Sequence, residues 1–274
     1  MDFKYLKNWI ERWQVYGDYY LHAQTRYCLD SPFMHNCLET VIEHELDETT
    51  VKKLKKYRTE LLSDKRLIPD IEFSSRHQQA GKTVAQMTRK AAASKSHTEF
   101  LCKLSNFFRP KRILELGSCT GLSAMALHLG HPEAKIISIE GNPFLHQVCR
   151  EKFCQLGIDR VTFHNDLFQN YLLRSDDGPF DLVYLDGDHA STSVEENLSS
   201  LSQHCNREAI LILDDIHWSL DMYKVWKRIL QLEDVQASIE FCRSGILFKS
   251  TAVTPMHFRY VPWIFKPWQV GLFR

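Results

Sequence analysis

The sequence predicts an α/β fold: a doubly wound, mostly parallel seven-stranded sheet with a C-terminal antiparallel hairpin, preceded by a helical extension. Three observations predict it. Short apolar runs bounded by polar turns recur from Lys111 onward, which is how parallel strands buried on both faces read. Helical patterns fall between those runs, as a parallel sheet requires. The stretch Arg112-Ile-Leu-Glu-Leu-Gly-Ser-Cys-Thr-Gly-Leu-Ser123 joins a buried strand, a glycine turn and a helix start.

Residues up to about Ser74 read as helical. Trp9, Trp13, Tyr16 and Tyr20 recur at helical spacing, giving an aromatic face expected to pack on the main domain or on a partner subunit. Pro32 breaks that pattern with Ser31 as a cap, and a second helix is predicted over 32–46. Residues 51–62 set Lys52, Lys53, Lys55, Lys56 and Arg58 among Val51, Leu54, Leu61 and Leu62. This is a solvated basic helix face, with a phosphate site as the alternative. Residues 74–96 are polar and basic, a mobile connector able to fold over a bound substrate. A helix over 97–107 then leads into the core. Residues 1–96 are therefore expected to be an extension and connector, serving as lid or oligomer contact, and 97–274 the main domain.

Within that domain, strands are predicted at 112–116, 135–139, 160–164, 180–185 and 209–213, with helices at 122–129, 144–156, 191–202 and 220–232. Strands at 235–241 and 245–248, joined by a short Cys-Arg-Ser turn, form the closing hairpin. The tail after Thr251 carries Trp263, Phe265, Trp268 and Phe273, and is expected to pack on the core or on a second subunit.

Composition narrows the function. With 274 residues and 44% hydrophobic content the chain can bury a full core. Its 34 basic and 34 acidic residues balance, which argues against a broad nucleic-acid or membrane-surface footprint. Eight cysteines are scattered without a Cys-x-x-Cys pair. Neither a secretory leader nor an apolar run of membrane-spanning length is evident, so reduced thiols and a cytoplasmic location are expected.

The glycine turn points to a cofactor. Gly117 turns the chain off its strand, and Gly121 is expected to let backbone approach a ligand. Glu140 ends the run Lys135-Ile-Ile-Ser-Ile, placed to accept hydrogen bonds from two ribose hydroxyls. Gly117-x-x-x-Gly121 lacks the spacing that seats a pyrophosphate. An adenosyl cofactor without phosphates fits better, and S-adenosylmethionine is the expected one.

Two strand ends carry acids. One predicted strand ends in Asp186-Gly187-Asp188-His189 and the next in Asp214-Asp215-Ile216-His217-Trp218. Carboxyl ends of neighbouring parallel strands converge on one crevice, so Asp186, Asp214 and Asp215 should cluster. Crowded carboxylates repel unless a cation sits between them, and all-oxygen ligation favours Mg²⁺ or another divalent cation.

Glu115-Leu-Gly-Ser-Cys-Thr-Gly-Leu-Ser123, Ile139-Glu-Gly-Asn-Pro143, Leu185-Asp186 and Leu213-Asp-Asp215 resemble the class I S-adenosylmethionine-dependent O-methyltransferases. The likeness is to the cation-dependent group, both catechol-type and antibiotic-sugar enzymes, and implies a Rossmann-like domain. It further implies that Glu115, Gly117 and Ser123 line the methionine end of the cofactor, with Ser118 and Gly121 also among the cofactor-binding residues. Glu140, Gly141 and Asn142 would hold the ribose, and Asp166 and Leu167 would border the adenine. Asp186, Asp214 and Asp215 would hold the metal, with Asp186 also reaching the cofactor. The catechol enzymes have Asn where Asp215 stands and a catalytic lysine where His189 stands, whereas the sugar enzymes use the acid at Asp188. The base is thus either Asp188 or His189. The expected activity is divalent-metal-assisted O-methylation of a small hydroxylated metabolite, in a possible homodimer that binds neither nucleic acid nor membrane. The alternatives are a non-catalytic adenosyl-cofactor-binding protein and a metal-independent N-methyltransferase. A nicotinamide-dependent oxidoreductase is disfavoured by the glycine spacing.

Overall fold

The computed structural model of the chain describes residues 3–69, 81–187, 200–251 and 253–269. Along the chain run α1 (Phe3–His22), α2 (Pro32–Ile42), α3 (Glu48–Leu62), α4 (Val84–Lys90) and α5 (Lys95–Phe108). Then follow β1 (Arg112–Leu116), α6 (Leu122–Gly130), β2 (Lys135–Glu140), α7 (Pro143–Gln155), β3 (Val161–Asn165) and α8 (Phe168–Arg174). The chain closes with β4 (Phe180–Leu185), β5 (Cys205–Leu213), α9 (Leu220–Ile229), β6 (Ala237–Glu240), β7 (Gly245–Phe248) and β8 (Met256–Arg259). The strands form one mixed sheet in the order β3-β2-β1-β4-β5-β7-β6-β8.

The chain comprises two compact units, one of Met1–Leu38 with Asp181–Arg274 and the other of Glu39–Phe180. This division differs from one at residue 96, because α1 groups with the C-terminal half of the chain and α3 to α5 group with the first strands.

In the unit Glu39–Phe180, β1, β2 and β3 are parallel, with Leu116 opposite Ile139 and Glu140 opposite Asn165. Ile113, Leu114, Ile136 and Ile139 are buried, as strands covered on both faces require. Asn142 accepts from the amides of Phe144 and Leu145 at the start of α7, and Pro143 opens that helix. In the described part of the connector, Thr83 and Gln86 make a capping box that starts α4. α8 also escaped the sequence reading, being a short helix of seven residues.

In the other unit, β6 and β7 form the predicted antiparallel hairpin, and β7 also pairs antiparallel with β5. An eighth strand, β8, adds parallel to β6 with Ala237 opposite Met256. The sheet has eight strands rather than seven because four residues of the tail, Met256–Arg259, pair at this edge. The aromatic face of α1 packs on the main domain only in part: Trp9 is 55% exposed and Trp13 62%, whereas Tyr16 meets the His217 ring at 5.9 Å and Tyr20 donates to the Phe265 carbonyl at 2.8 Å. The buried stripe is instead Val15, Tyr19 and Ala23, with Tyr19 and Ala23 packed on Val261. The tail is pinned by its backbone and polar atoms, with Lys266 Nζ donating to the carbonyls of Leu21 and Ala23, while Trp263, Phe265 and Trp268 stay exposed. Most of the helix predicted over 191–202, and Phe273, lie outside the described residues. Among the described residues, no helix is long and apolar enough to cross a membrane.

Candidate functional site

The turn after β1 is tied to the end of β2. Gly117, at φ 110°, donates its N–H to the Ile139 carbonyl at 3.0 Å, and Ser118 donates to the same oxygen at 3.3 Å. Cys119 follows at φ 50° and Gly121 at φ 78°, so the chain coils through left-handed backbone before α6 begins. That coil aims the Cys119 amide at Glu140, whose Oε2 accepts it at 2.8 Å. The Asn142 amide donates to Oε1 at 2.8 Å. Glu140 is thereby fixed in direction at the mouth of the turn, and the Asn165 side-chain amide holds its carbonyl at 2.7 Å.

Glu115 lies fully buried on β1. Its Oε2 accepts from the Ser138 hydroxyl, which also pairs with Ser118, and its Oε1 has no hydrogen-bond partner. Burial pushes its pKa up to about 7, against the lowering effect of the Ser123 and Ser138 hydroxyls and helped by the charge of Glu140. A buried carboxyl with an orphaned oxygen is a group awaiting a donor.

At the ends of β4 and β5, Asp186, Asp214 and Asp215 each offer a carboxylate oxygen within 4.8 Å of the others. The Tyr184 hydroxyl reaches Asp186 at 3.1 Å and Asp214 at 3.4 Å. Burial, then the charges of Asp214 and Asp215, push the Asp186 pKa well up. Arg243 enters this cluster from the turn between β6 and β7. Its Nε lies 2.9 and 3.0 Å from the two oxygens of Asp214, and its Nη2 lies 2.6 Å from Oδ2. A further contact runs from Nε to Asp215 at 3.2 Å. Tyr16 of α1 stands in the field of the same groups; burial raises its pKa, as do the charges of Cys242 and Asp215.

Residues 114–216 match the family described as a methyltransferase domain. The chain is similar to methyltransferases over this segment. It is 28% identical over 142 residues to a catechol O-methyltransferase of Mycobacterium tuberculosis, covering 50% of this chain and 62% of that protein. Against an O-methyltransferase of Aspergillus hancockii the identity is 28% over 148 residues, covering 51% and 57%. The chain thus spans less than two thirds of the length of these curated relatives. Among solved structures, the O-methyltransferase TomG of Streptomyces achromogenes, in complex with S-adenosylmethionine, superposes with a TM-score of 0.54 at 16% identity, over 78% of this chain and 93% of that one. That likeness shows the fold.

The structure brings most of the predicted cofactor residues into one neighbourhood. Glu115, Ser118 and Ser123 surround one buried carboxyl, while Gly117, Glu140 and Asn142 form the turn and its anchor. Gly141 stands beside Leu167 and Asp166; a Cβ built on it would lie 3.6 Å from Leu167 Cδ2. Leu167 is 54% exposed, and Asp166 is ion-paired with Arg174 at 2.6 Å. The side-chain position of Gly121 is closed. A Cβ there would meet the Tyr57 hydroxyl at 2.9 Å and Cys149 Sγ at 3.2 Å, so the space on that side is filled by α3 and α7. Tyr57 also donates to the Thr120 carbonyl at 3.1 Å, making α3 a lining of the glycine turn as well as a basic face.

Asp188 and His189 lie outside the described residues. His217 is a buried structural histidine: Nδ1 is 2.8 Å from the Cys242 carbonyl and Nε2 is 3.0 Å from Glu240. Sequence reasoning missed Arg243. It stood in the predicted hairpin turn, and a basic residue in a turn gives no sign of which acid it will meet.

Three carboxylates are the hard oxygen donors that Mg²⁺ takes. As arranged, both oxygens of Asp214 already receive the Arg243 guanidinium, which also contacts Asp215, so the set does not fit a resident dication.

Proposed function

We propose that the protein is an S-adenosylmethionine-dependent O-methyltransferase acting on a small hydroxylated molecule. One observation carries the reading: an oriented carboxylate, Glu140, and a buried carboxyl with an orphaned oxygen, Glu115, flank a left-handed turn at the end of β1. Both curated relatives are named O-methyltransferases, which supports oxygen as the acceptor atom.

In this reading the Cys119 and Asn142 amides set Glu140 to accept the ribose hydroxyls. Glu115 offers its unpartnered oxygen to a donor such as the methionine ammonium, and exposed Leu167 gives the adenine an apolar face. What S-adenosylmethionine supplies when bound is an activated methyl group: the S–CH₃ bond breaks, its electron pair stays on sulfur, and the acceptor oxygen forms the new bond and loses its proton. Holding both reactants in line is the protein's main contribution. The proton goes to Asp188 or His189, the two bases the family resemblance implies.

Divalent-metal assistance would use Asp186, Asp214 and Asp215 to hold a cation that acidifies the acceptor hydroxyl. The Arg243 contacts weigh against it, and the transfer described here does not pass through a metal.

Calorimetric titration with S-adenosylhomocysteine, in Mg²⁺ and again in EDTA, tests the reading. Micromolar binding in both conditions, followed by labelled-methyl transfer to a panel of hydroxylated acceptors, supports it. No binding in either condition removes it.

A further inference from the structure

We infer that Arg243 is the resident counter-cation of the Asp186, Asp214 and Asp215 cluster, occupying the place for which the sequence predicts a divalent metal ion.

The Asp214 side chain is fully buried, and a buried carboxylate must be paired. Its partner is a guanidinium bonded to both of its oxygens and extended to Asp215. The arrangement is built by the backbone. The turn that bears Arg243 closes through the Phe241 amide on the Ser244 carbonyl at 2.8 Å. Its own carbonyl accepts the Ile216 amide at 3.0 Å, which fastens the turn to the residue after Asp215. Asp215 itself sits at φ 53°, the left-handed backbone that bends the strand end toward this turn. The base of the Arg243 side chain is therefore fixed two residues from the acids it serves, not loosely tethered on the surface.

A dication binds carboxylate oxygens at about 2.0–2.6 Å and competes for the lone pairs that accept N–H donors. Two cations on one buried carboxylate also repel. Arg stays charged at all accessible pH, so the charge of Asp214 is balanced without any metal. The consequence is a site with weak affinity for divalent cations whose affinity rises when Arg243 is removed. The relevance to catalysis rests on the proposed methyl transfer; the charge exchange itself does not.

The experiment is a Mn²⁺ titration of the full chain followed by electron paramagnetic resonance, with S-adenosylhomocysteine binding measured on the same samples. Wild type should show only weak, millimolar binding. Arg243→Ala should bind Mn²⁺ roughly tenfold tighter or more, and Asp214→Asn added to it should abolish the gain. Micromolar Mn²⁺ binding by wild type overturns the inference, as does a folded Arg243→Ala protein with no gain. If Arg243→Ala does not fold, the wild-type titration decides alone. Loss of S-adenosylhomocysteine binding in wild type would count against the methyltransferase reading and leave the Mn²⁺ result standing.

Discussion

Cys119 donates its backbone N–H to Glu140 Oε2 at 2.8 Å, fastening the turn after β1 to the acid that ends β2. With the Asn142 amide on the other oxygen, both donors face a group that only accepts. Glu140→Gln would set an amide NH₂ against one of these N–H groups. S-adenosylhomocysteine affinity should fall about tenfold or more, for a loss of roughly 1–3 kcal/mol per broken charged hydrogen bond. Calorimetry that finds unchanged affinity would remove Glu140 from the site.

Gly121 is constrained by Tyr57. Gly121→Ala places a methyl 2.9 Å from the Tyr57 oxygen in a left-handed conformation, at a cost of about 1–3 kcal/mol. Adding Tyr57→Phe removes the clashing oxygen and should recover part of that loss. Urea unfolding of the single and double variants measures it; equal midpoints for Gly121→Ala and wild type would refute the packing account.

Glu115 makes stability fall as pH rises. Its folded pKa of about 7 stands above the usual value of 4.5, so between these the folded state holds the extra proton. Unfolding therefore becomes easier from pH 4.5 to 7, by an amount on the order of 3 kcal/mol, and levels off above. Glu115→Gln, which keeps the neutral form, should flatten that slope in the ligand-free protein. An identical slope in the variant would show that the dependence arises elsewhere.

Glu240 acts in the opposite sense. Burial raises its pKa, yet the hydrogen bonds of His217 and Trp226 and the charge of Arg259 outweigh burial and hold it below 4.5. Its contribution is complete above pH 4.5 and is lost as pH drops through the lowered value. Glu240→Ala should cost roughly 1–3 kcal/mol for each of two buried groups, the Trp226 indole N–H and His217 Nε2, that lose their partner, while Arg259 keeps Asp18. Thermal unfolding at pH 7 checks this, and a shift within error would mean the network is solvated.

Much of the fold is legible in the sequence because its signals are local. β1, β4 and β7 fall on the predicted residues, since an apolar run ended by a turn needs no distant partner to define it. β8 was not legible: Met256–Arg259 is short and alternates weakly, and its pairing with β6 comes from an edge that only the folded sheet provides. On α1 the aromatic spacing is helical, but helical spacing does not say which stripe is covered. Val15, Tyr19 and Ala23 are buried although Trp9 and Trp13 carry more apolar surface.

The candidate site divides the same way. The sequence by itself determined the glycine turn, the acid at the end of β2 and the carboxylates at the ends of β4 and β5. Each follows from strand-to-turn order along a short stretch of chain. Only the tertiary structure decided that Tyr57 fills the space at Gly121, that Glu115 keeps an oxygen without a donor, and that Arg243 takes the charge of Asp214. These are contacts between residues far apart in the chain. Their energy depends on burial and on the distance between charges, and neither quantity exists until the elements have packed.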